Sequence, residues 1–192
     1  MDRIMIKKLI GVSAFLLISS AASAGLVSYD FTGGPTTFGD PLLFSQDGLD
    51  LSVTGTPGVS VDTRWGLGVK SSKRDSYQVD GQGPDETLSF SFLQDVDLVS
   101  VIFGNVQYND DFSLSVDGTL IGSADIPGGN TFDFSAYNFT GNTFDFGVEG
   151  RNDDYFIRGI TVDTVDVSEA GSLALLGLGL VGLGFSRRKS KA

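Results

Sequence analysis

Apolar and polar side chains alternate strictly through the middle of the chain. Leu49, Leu51 and Val53 alternate with Asp50, Ser52 and Thr54, and Leu88, Phe90 and Phe92 with Ser89 and Ser91. Phe112, Leu114 and Val116 alternate with Ser113 and Ser115. Phe144, Phe146 and Val148 alternate with Asp145 and Gly147, and Ile160 and Val162 with Thr161 and Asp163. A period of two with one polar face predicts antiparallel strands that are wet on one side. Val96–Phe103 is the most apolar run and is expected at the centre of the sheet. Turn residues punctuate these runs at Gly33-Gly34-Pro35, Thr56-Pro57-Gly58, Asp80-Gly81-Gln82-Gly83-Pro84 and Pro127-Gly128-Gly129. Asp117-Gly118 reads as a two-residue hairpin turn. No amphipathic helix of useful length falls between 25 and 168. The expectation is an all-β domain of about eight to ten short strands. A two-sheet antiparallel β-sandwich of jelly-roll or lectin type fits best, with a closed barrel as the alternative.

Two short repeats lie within this pattern. Asn130-Thr131-Phe132-Asp133-Phe134 recurs as Asn142-Thr143-Phe144-Asp145-Phe146, which suggests two strands that each place two Phe on the core. Asn109-Asp110-Asp111-Phe112 recurs as Asn152-Asp153-Asp154-Tyr155, each at an expected strand entrance.

The ends follow other rules. Residues 1–24 read as a signal peptide, with Arg3, Lys7 and Lys8 ahead of the apolar run Leu9–Ile18. Ala22-Ser23-Ala24 is a small-residue site, so cleavage is expected between Ala24 and Gly25. The apolar run is too short for a stable bilayer span. At the other end, Val167, Ser168, Glu169 and Ala170 precede a stretch without charge that carries Leu173, Leu175, Leu176, Leu178, Leu180, Val181, Leu183 and Phe185. As a helix over 171–186 this stretch is roughly 24 Å long, against a hydrocarbon core of about 30 Å. Apolar residues surround its whole circumference, which argues for a membrane anchor over a core helix. Arg187, Arg188 and Lys189, within the basic end 187–191, act as a stop-transfer signal that holds the C-terminus on the cytoplasmic side. The expected organisation is a signal peptide (1–24), a β-sandwich ectodomain (25–166) and a sorting and anchoring tail (167–192).

The tripartite tail, with its Leu-Leu-Gly-Leu-Gly-Leu-Val-Gly-Leu-Gly-Phe-Ser-Arg-Arg-Lys run, resembles the PEP-CTERM sorting signal of Gram-negative bacteria. The same tail has been labelled an ice-binding protein C-terminal domain, a label that does not imply ice binding. The Pro-Glu-Pro of that family stands here as Ser168-Glu169-Ala170. The segments Gly66–Val69, Asp75–Gly81, Asp85–Phe90 and Val99–Gly104 are similar to parts of exported PEP-CTERM proteins. The resemblance implies an exosortase substrate with a β-sandwich ectodomain. Such a protein would be anchored at the inner membrane facing the periplasm, then passed to the cell surface or an exopolysaccharide matrix. Its partners would be the Sec machinery, signal peptidase, the inner membrane, an exosortase and exopolysaccharide.

Composition narrows the chemistry. The 192 residues include no Cys and no His, which removes disulfides, thiol nucleophiles, His-metal centres and Ser-His-Asp triads. Lys and Arg number 13 against 24 Asp and Glu, a net charge of −11. Between 25 and 168 the balance is 6 against 22, or −16, which excludes a nucleic-acid surface. Acidic loops suit calcium, because hard cations take carboxylate and carbonyl oxygens. The candidate ligands are Asp75, Asp80, Asp85 and Glu86 in one Gly-rich loop, joined by Asp110, Asp111, Asp153 and Asp154 if those strand ends converge. The spacing is not that of an EF-hand; Asn and Asp as ordinary turn formers are the alternative. Trp65, Tyr77, Tyr108 and Tyr155 are candidates for a calcium-dependent glycan site, with Trp65, the lone Trp, expected more as a core anchor. A carboxylate glycoside hydrolase is the remaining alternative. Asp is abundant, yet no motif marks a catalytic pair, so no enzymatic activity is expected.

Overall fold

Residues 25–164 are described by a computed structural model and form strands joined by turns and loops, with no helix among them. The N-terminal half contributes β1 (Leu26–Asp30), β2 (Thr37–Gly39), β3 (Leu42–Gln46), β4 (Leu49–Thr56), β5 (Val59–Thr63), β6 (Gly66–Lys70) and the short β7 (Val79–Asp80). There follow β8 (Thr87–Gly104), β9 (Asp111–Val116), β10 (Thr119–Asp125), β11 (Thr131–Asp133), β12 (Phe139–Gly147) and β13 (Asp154–Thr164). All pairings are antiparallel, and the main hydrogen-bonded path runs β10-β9-β12-β8-β13-β6-β5-β2. The expected short strands are more numerous than anticipated, and two of the runs fuse. Leu88–Phe92 and Val96–Phe103 form the single 18-residue strand β8.

That fusion organises the sheet. The first half of β8 lies between β4 and β12, with Phe90 opposite both Val53 and Phe144. Its second half lies between β13 on one side and β12 and β11 on the other. At the junction, Phe92–Asp95 stand opposite the single Asn142 of β12, and Leu93, Gln94 and Asp95 turn out to solvent. β8 is thus the central strand, as its apolar composition predicted. The hydrogen-bonded sheet is continuous through β8 and β13.

Alternation sets the core. Leu51, Val53, Leu88, Phe90, Phe112, Leu114, Phe144, Phe146, Ile160 and Val162 are buried in one cluster, joined by Val27, Tyr29, Leu67 and Val69. Two bulges change the phase. Val99 has no partner in β13, so burial passes from Val96 and Leu98 to Val101 and Phe103; Arg158 does the same on β13, between Ile157 and Ile160. The Asp117-Gly118 turn joins β9 to β10 with φ of 49° and 74°, as a two-residue hairpin turn requires.

Candidate functional site

The chain between β6 and β8 is a long loop interrupted only by β7, and two close backbone approaches fix it. A Cβ on Gly68 would lie 1.7 Å from the Tyr77 carbonyl oxygen, and one on Gly81 would lie 2.0 Å from that of Gly150. Gly81 N donates to Asp153 O at 3.2 Å, and β7 pairs with β13 so that Asp80 faces Asp154. The loop therefore lies flat on β6 and β13.

Three carboxyl groups converge there. Asp75 Oδ2 accepts from Ser71 N at 2.6 Å and from Ser71 Oγ at 2.7 Å. Asp80 accepts from Ser76 Oγ at 2.8 Å and from Gln82 N at 2.9 Å. Glu86 Oε2 accepts from Asp80 N at 3.2 Å, whereas its buried Oε1 has no hydrogen-bond partner. Asp80 is 3% and Glu86 1% exposed, and one oxygen from each of Asp75, Asp80 and Glu86 falls within 4.8 Å of the others. Asp75 and Asp80 line a cleft of about 500 Å³ together with Arg74, Gln78, Gln82 and Asp154.

Burial, with the charges of Asp75 and Asp80 added, pushes the Glu86 carboxyl up to about 8, against the hydrogen bond from Asp80 N. Burial also acts on Asp75, but the hydrogen bonds from Ser71 N and Oγ hold it below the usual carboxylate range. The trio can therefore share a proton, carried by Glu86, or exchange that proton for a cation.

The other predicted acidic residues are placed differently. Asp85 is exposed and outside this group. Asp110-Asp111 and Asp153-Asp154 do stand at the entrances of β9 and β13. The aromatic side chains that follow them pack on one ring: Phe103 lies 5.0 Å from Phe112 and 5.2 Å from Tyr155 between centroids. The two entrances converge, and the Gln107 side chain donates to Asp154 while Gln107 N donates to Asp110 Oδ2. Asp110 is 2% exposed with Oδ1 unpartnered; burial, then the Asp154 and Asp153 charges, raises its pKa. Asp153 accepts from Gly150 N. Asp111 faces Asp125 across the β9–β10 ladder; burial, the hydrogen bond to Asp125 and its charge raise the Asp111 pKa. Both line a second cleft of about 640 Å³. Among the described residues, only Asp75, Asp80 and Glu86 meet within metal-binding distance.

Asp125, Ser71, Gln78 and Gln107 escaped the sequence reading. Counted from the Asp117-Gly118 turn, Asp111 would face Ala124; a bulge between Leu120 and Gly122 brings Asp125 opposite it instead. Nothing in the pattern marks that bulge.

The aromatic expectations need correction. Trp65 is 58% exposed and not a core anchor, because it sits in the β5–β6 turn, with the Arg64 guanidinium 4.6 Å above its ring. Tyr155 is fully buried, its hydroxyl donating to Gly147 O at 2.7 Å, and so offers no ring to a sugar. Tyr77 is exposed, but Phe38 packs against it at 5.7 Å and Lys70 covers it at 4.7 Å. Tyr108 is fully exposed.

The signal peptide and the sorting tail, including its expected helix, lie outside the described residues. Among the described residues there is no helix long and apolar enough to cross a membrane. Gly25 is described: its N donates to Thr164 Oγ1 at 3.0 Å, and Thr164 N donates to Gly25 O at 3.2 Å. Since β1 pairs with β13, the two ends of the domain are neighbours.

Residues 166–189 match the PEP-CTERM protein-sorting motif. Among curated proteins and solved structures, none matches the chain. The chain thus carries the sorting signal that its tail resembles, the signal of exported proteins handled by an exosortase.

Proposed function

We propose that this is an exported surface protein, held by its tail at the inner membrane and sorted by an exosortase to the cell surface or an exopolysaccharide matrix. Residues 25–166 would then be a displayed β-sandwich domain without enzymatic activity. The match of 166–189 to the sorting motif carries this reading. The position of the motif supports it, because it begins directly after β13 ends at Thr164 and so leaves the domain intact on processing. The signal peptide and Leu173–Phe185 supply export and retention, and Arg187, Arg188 and Lys189 supply orientation. The departure of Ser168-Glu169-Ala170 from Pro-Glu-Pro keeps the acidic residue at the centre of the motif.

Fractionation of cells, with the mass of the mature C-terminus, tests this. A charge at the centre of a membrane helix costs about 2.5–3.5 kcal/mol on insertion scales. A 16-residue apolar segment (171–186) has little surplus to absorb that cost. Leu178→Asp should therefore release uncut protein into the periplasm, whereas Glu169→Ala should trap full-length protein in the membrane. Wild-type protein found wholly soluble and ending at Ala192 would refute the reading.

A further inference from the structure

We propose that Asp75, Asp80 and Glu86 form a binding site for one hard divalent cation, calcium above others. Three carboxylates at this spacing are not in themselves a site, since exposed acidic groups often cluster in turns. Glu86 separates this cluster from that case. It is almost wholly buried, its Oε1 has no hydrogen-bond partner, and its oxygens face Asp75 and Asp80 rather than solvent. A buried acceptor left without a donor is costly, and such atoms in folded proteins usually answer to an unseen water or ion.

The groups that face Glu86 are the carboxylates of Asp75 and Asp80, so three acidic side chains meet at one point. Among the described residues no lysine or arginine pairs with the three. Lys70 is turned away, its ammonium donating to the Asp75 carbonyl oxygen and lying over the Tyr77 ring, and Arg74, next to Asp75 in the chain, lines the cleft without an ion pair to any of the three. A divalent ion would supply the missing positive charge and a partner for Glu86 Oε1 in one step.

The donor set indicates which ion. All three ligands are carboxylate oxygens, and the chain has no Cys or His to offer a softer metal. The cleft in front of Asp75 and Asp80 leaves room for the several waters that complete a six- to eight-coordinate shell. Ligands on a loop tolerate the longer, looser bonds of calcium better than the octahedron magnesium demands. The loop is nevertheless held from below by Gly68 and Gly81, so the ion would find the three groups already assembled. Bound there, it would tie Asp75 in the loop, Asp80 on β7 and Glu86 just ahead of β8 to one point. The site does not depend on how the tail is processed; only the supply of millimolar calcium rests on export.

Isothermal titration calorimetry on the full-length purified protein, stripped with EDTA, tests the site with calcium chloride and, separately, magnesium chloride. One calcium per chain is expected, with a Kd of about 0.1–1 mM as in other extracellular sites. Magnesium should bind at least about tenfold more weakly. Glu86→Gln and Asp75→Asn should each weaken calcium binding at least tenfold, and Asp85→Asn, outside the group, should leave it unchanged. Far-UV circular dichroism establishes that each variant is folded; if Glu86→Gln is not, Asp75→Asn decides. Absence of calcium binding up to about 10 mM would overturn the proposal, as would unchanged binding in the folded Glu86 or Asp75 variant. Magnesium binding more tightly than calcium would overturn the choice of ion.

Discussion

Glu86 is the carboxyl group whose protonation the fold most alters. Its carboxyl rises from an ordinary 4.5 to about 8 in the native state, because burial and two neighbouring carboxylates penalise the charge. A raised native pKa means that the folded protein holds a proton the unfolded chain has released. The associated stability is fully present below about pH 4.5 and is lost as pH rises through about 8. Urea midpoints measured in EDTA should therefore show this group's contribution declining across that window. Glu86→Gln, which keeps the shape and cannot ionise, should flatten the decline. An identical pH profile in the variant would show that Glu86 is not the titrating group. Asp75, held below its usual range by Ser71, acts in the opposite direction at lower pH, so the two can be separated.

At the scale of elements, the loop carrying the carboxylates depends on two glycines more than on its own hydrogen bonds. Gly68→Ala and Gly81→Ala would each place a methyl group within 2.0 Å of a backbone oxygen, and backbone cannot step aside as a side chain can. Each should cost about 2–3 kcal/mol, as overpacking does in cores. Gly128, with nothing within 4 Å of an added Cβ, should accept Ala within about 0.5 kcal/mol. Denaturant titration of the three variants checks both expectations. Phe103 plays the matching part for the strand entrances, with its ring against Phe112, Phe146 and Tyr155. Phe103→Ala should cost about 3–5 kcal/mol. It should also loosen Asp110 and Asp153 together, because the strands behind both lean on that ring. Amide exchange that accelerates at only one of the two entrances would contradict the shared support.

At the scale of the whole molecule, one core cluster draws on strands from β1 to β13. With 30 buried hydrophobic residues and no Cys, the domain has no need of disulfide staples. Residues 25–166, expressed alone, should give a circular dichroism spectrum dominated by sheet and sediment as a monomer. The charge of −16 between 25 and 168 opposes association. A spectrum of helix or disorder would show that the tail is needed for folding. The pairing of β1 with β13 gives the domain a single point of departure for both termini, with Gly25 hydrogen-bonded to Thr164. Removal of either flanking segment there leaves every described strand whole.

The alternation of Phe and Leu with Ser and Asp was enough to determine which side chains are buried in β4, β9 and β12. A strand has only two faces, so a period of two leaves one choice for the core. The Asp117-Gly118 turn was legible for a similar reason, since its conformation is demanded locally. The tail could be read as a sorting signal because its physics is linear: an acidic motif, an apolar stretch and a basic stop in that order. The acidic loop was legible as a candidate, but not its membership. Which of Asp75, Asp80, Asp85 and Glu86 meet depends on β7 lying against β13 and on Gly68 and Gly81 admitting close backbone, contacts between residues far apart in the chain. The fusion of two runs into β8, the bulges at Val99 and Arg158 and the pairing of Asp111 with Asp125 were likewise decided by tertiary structure. Each bulge shifts register by one residue, and register is set by what the partner strand offers, which no local pattern records. Trp65 shows the same limit: a large apolar ring favours burial anywhere, and only its place in the β5–β6 turn, under Arg64, leaves it at the surface.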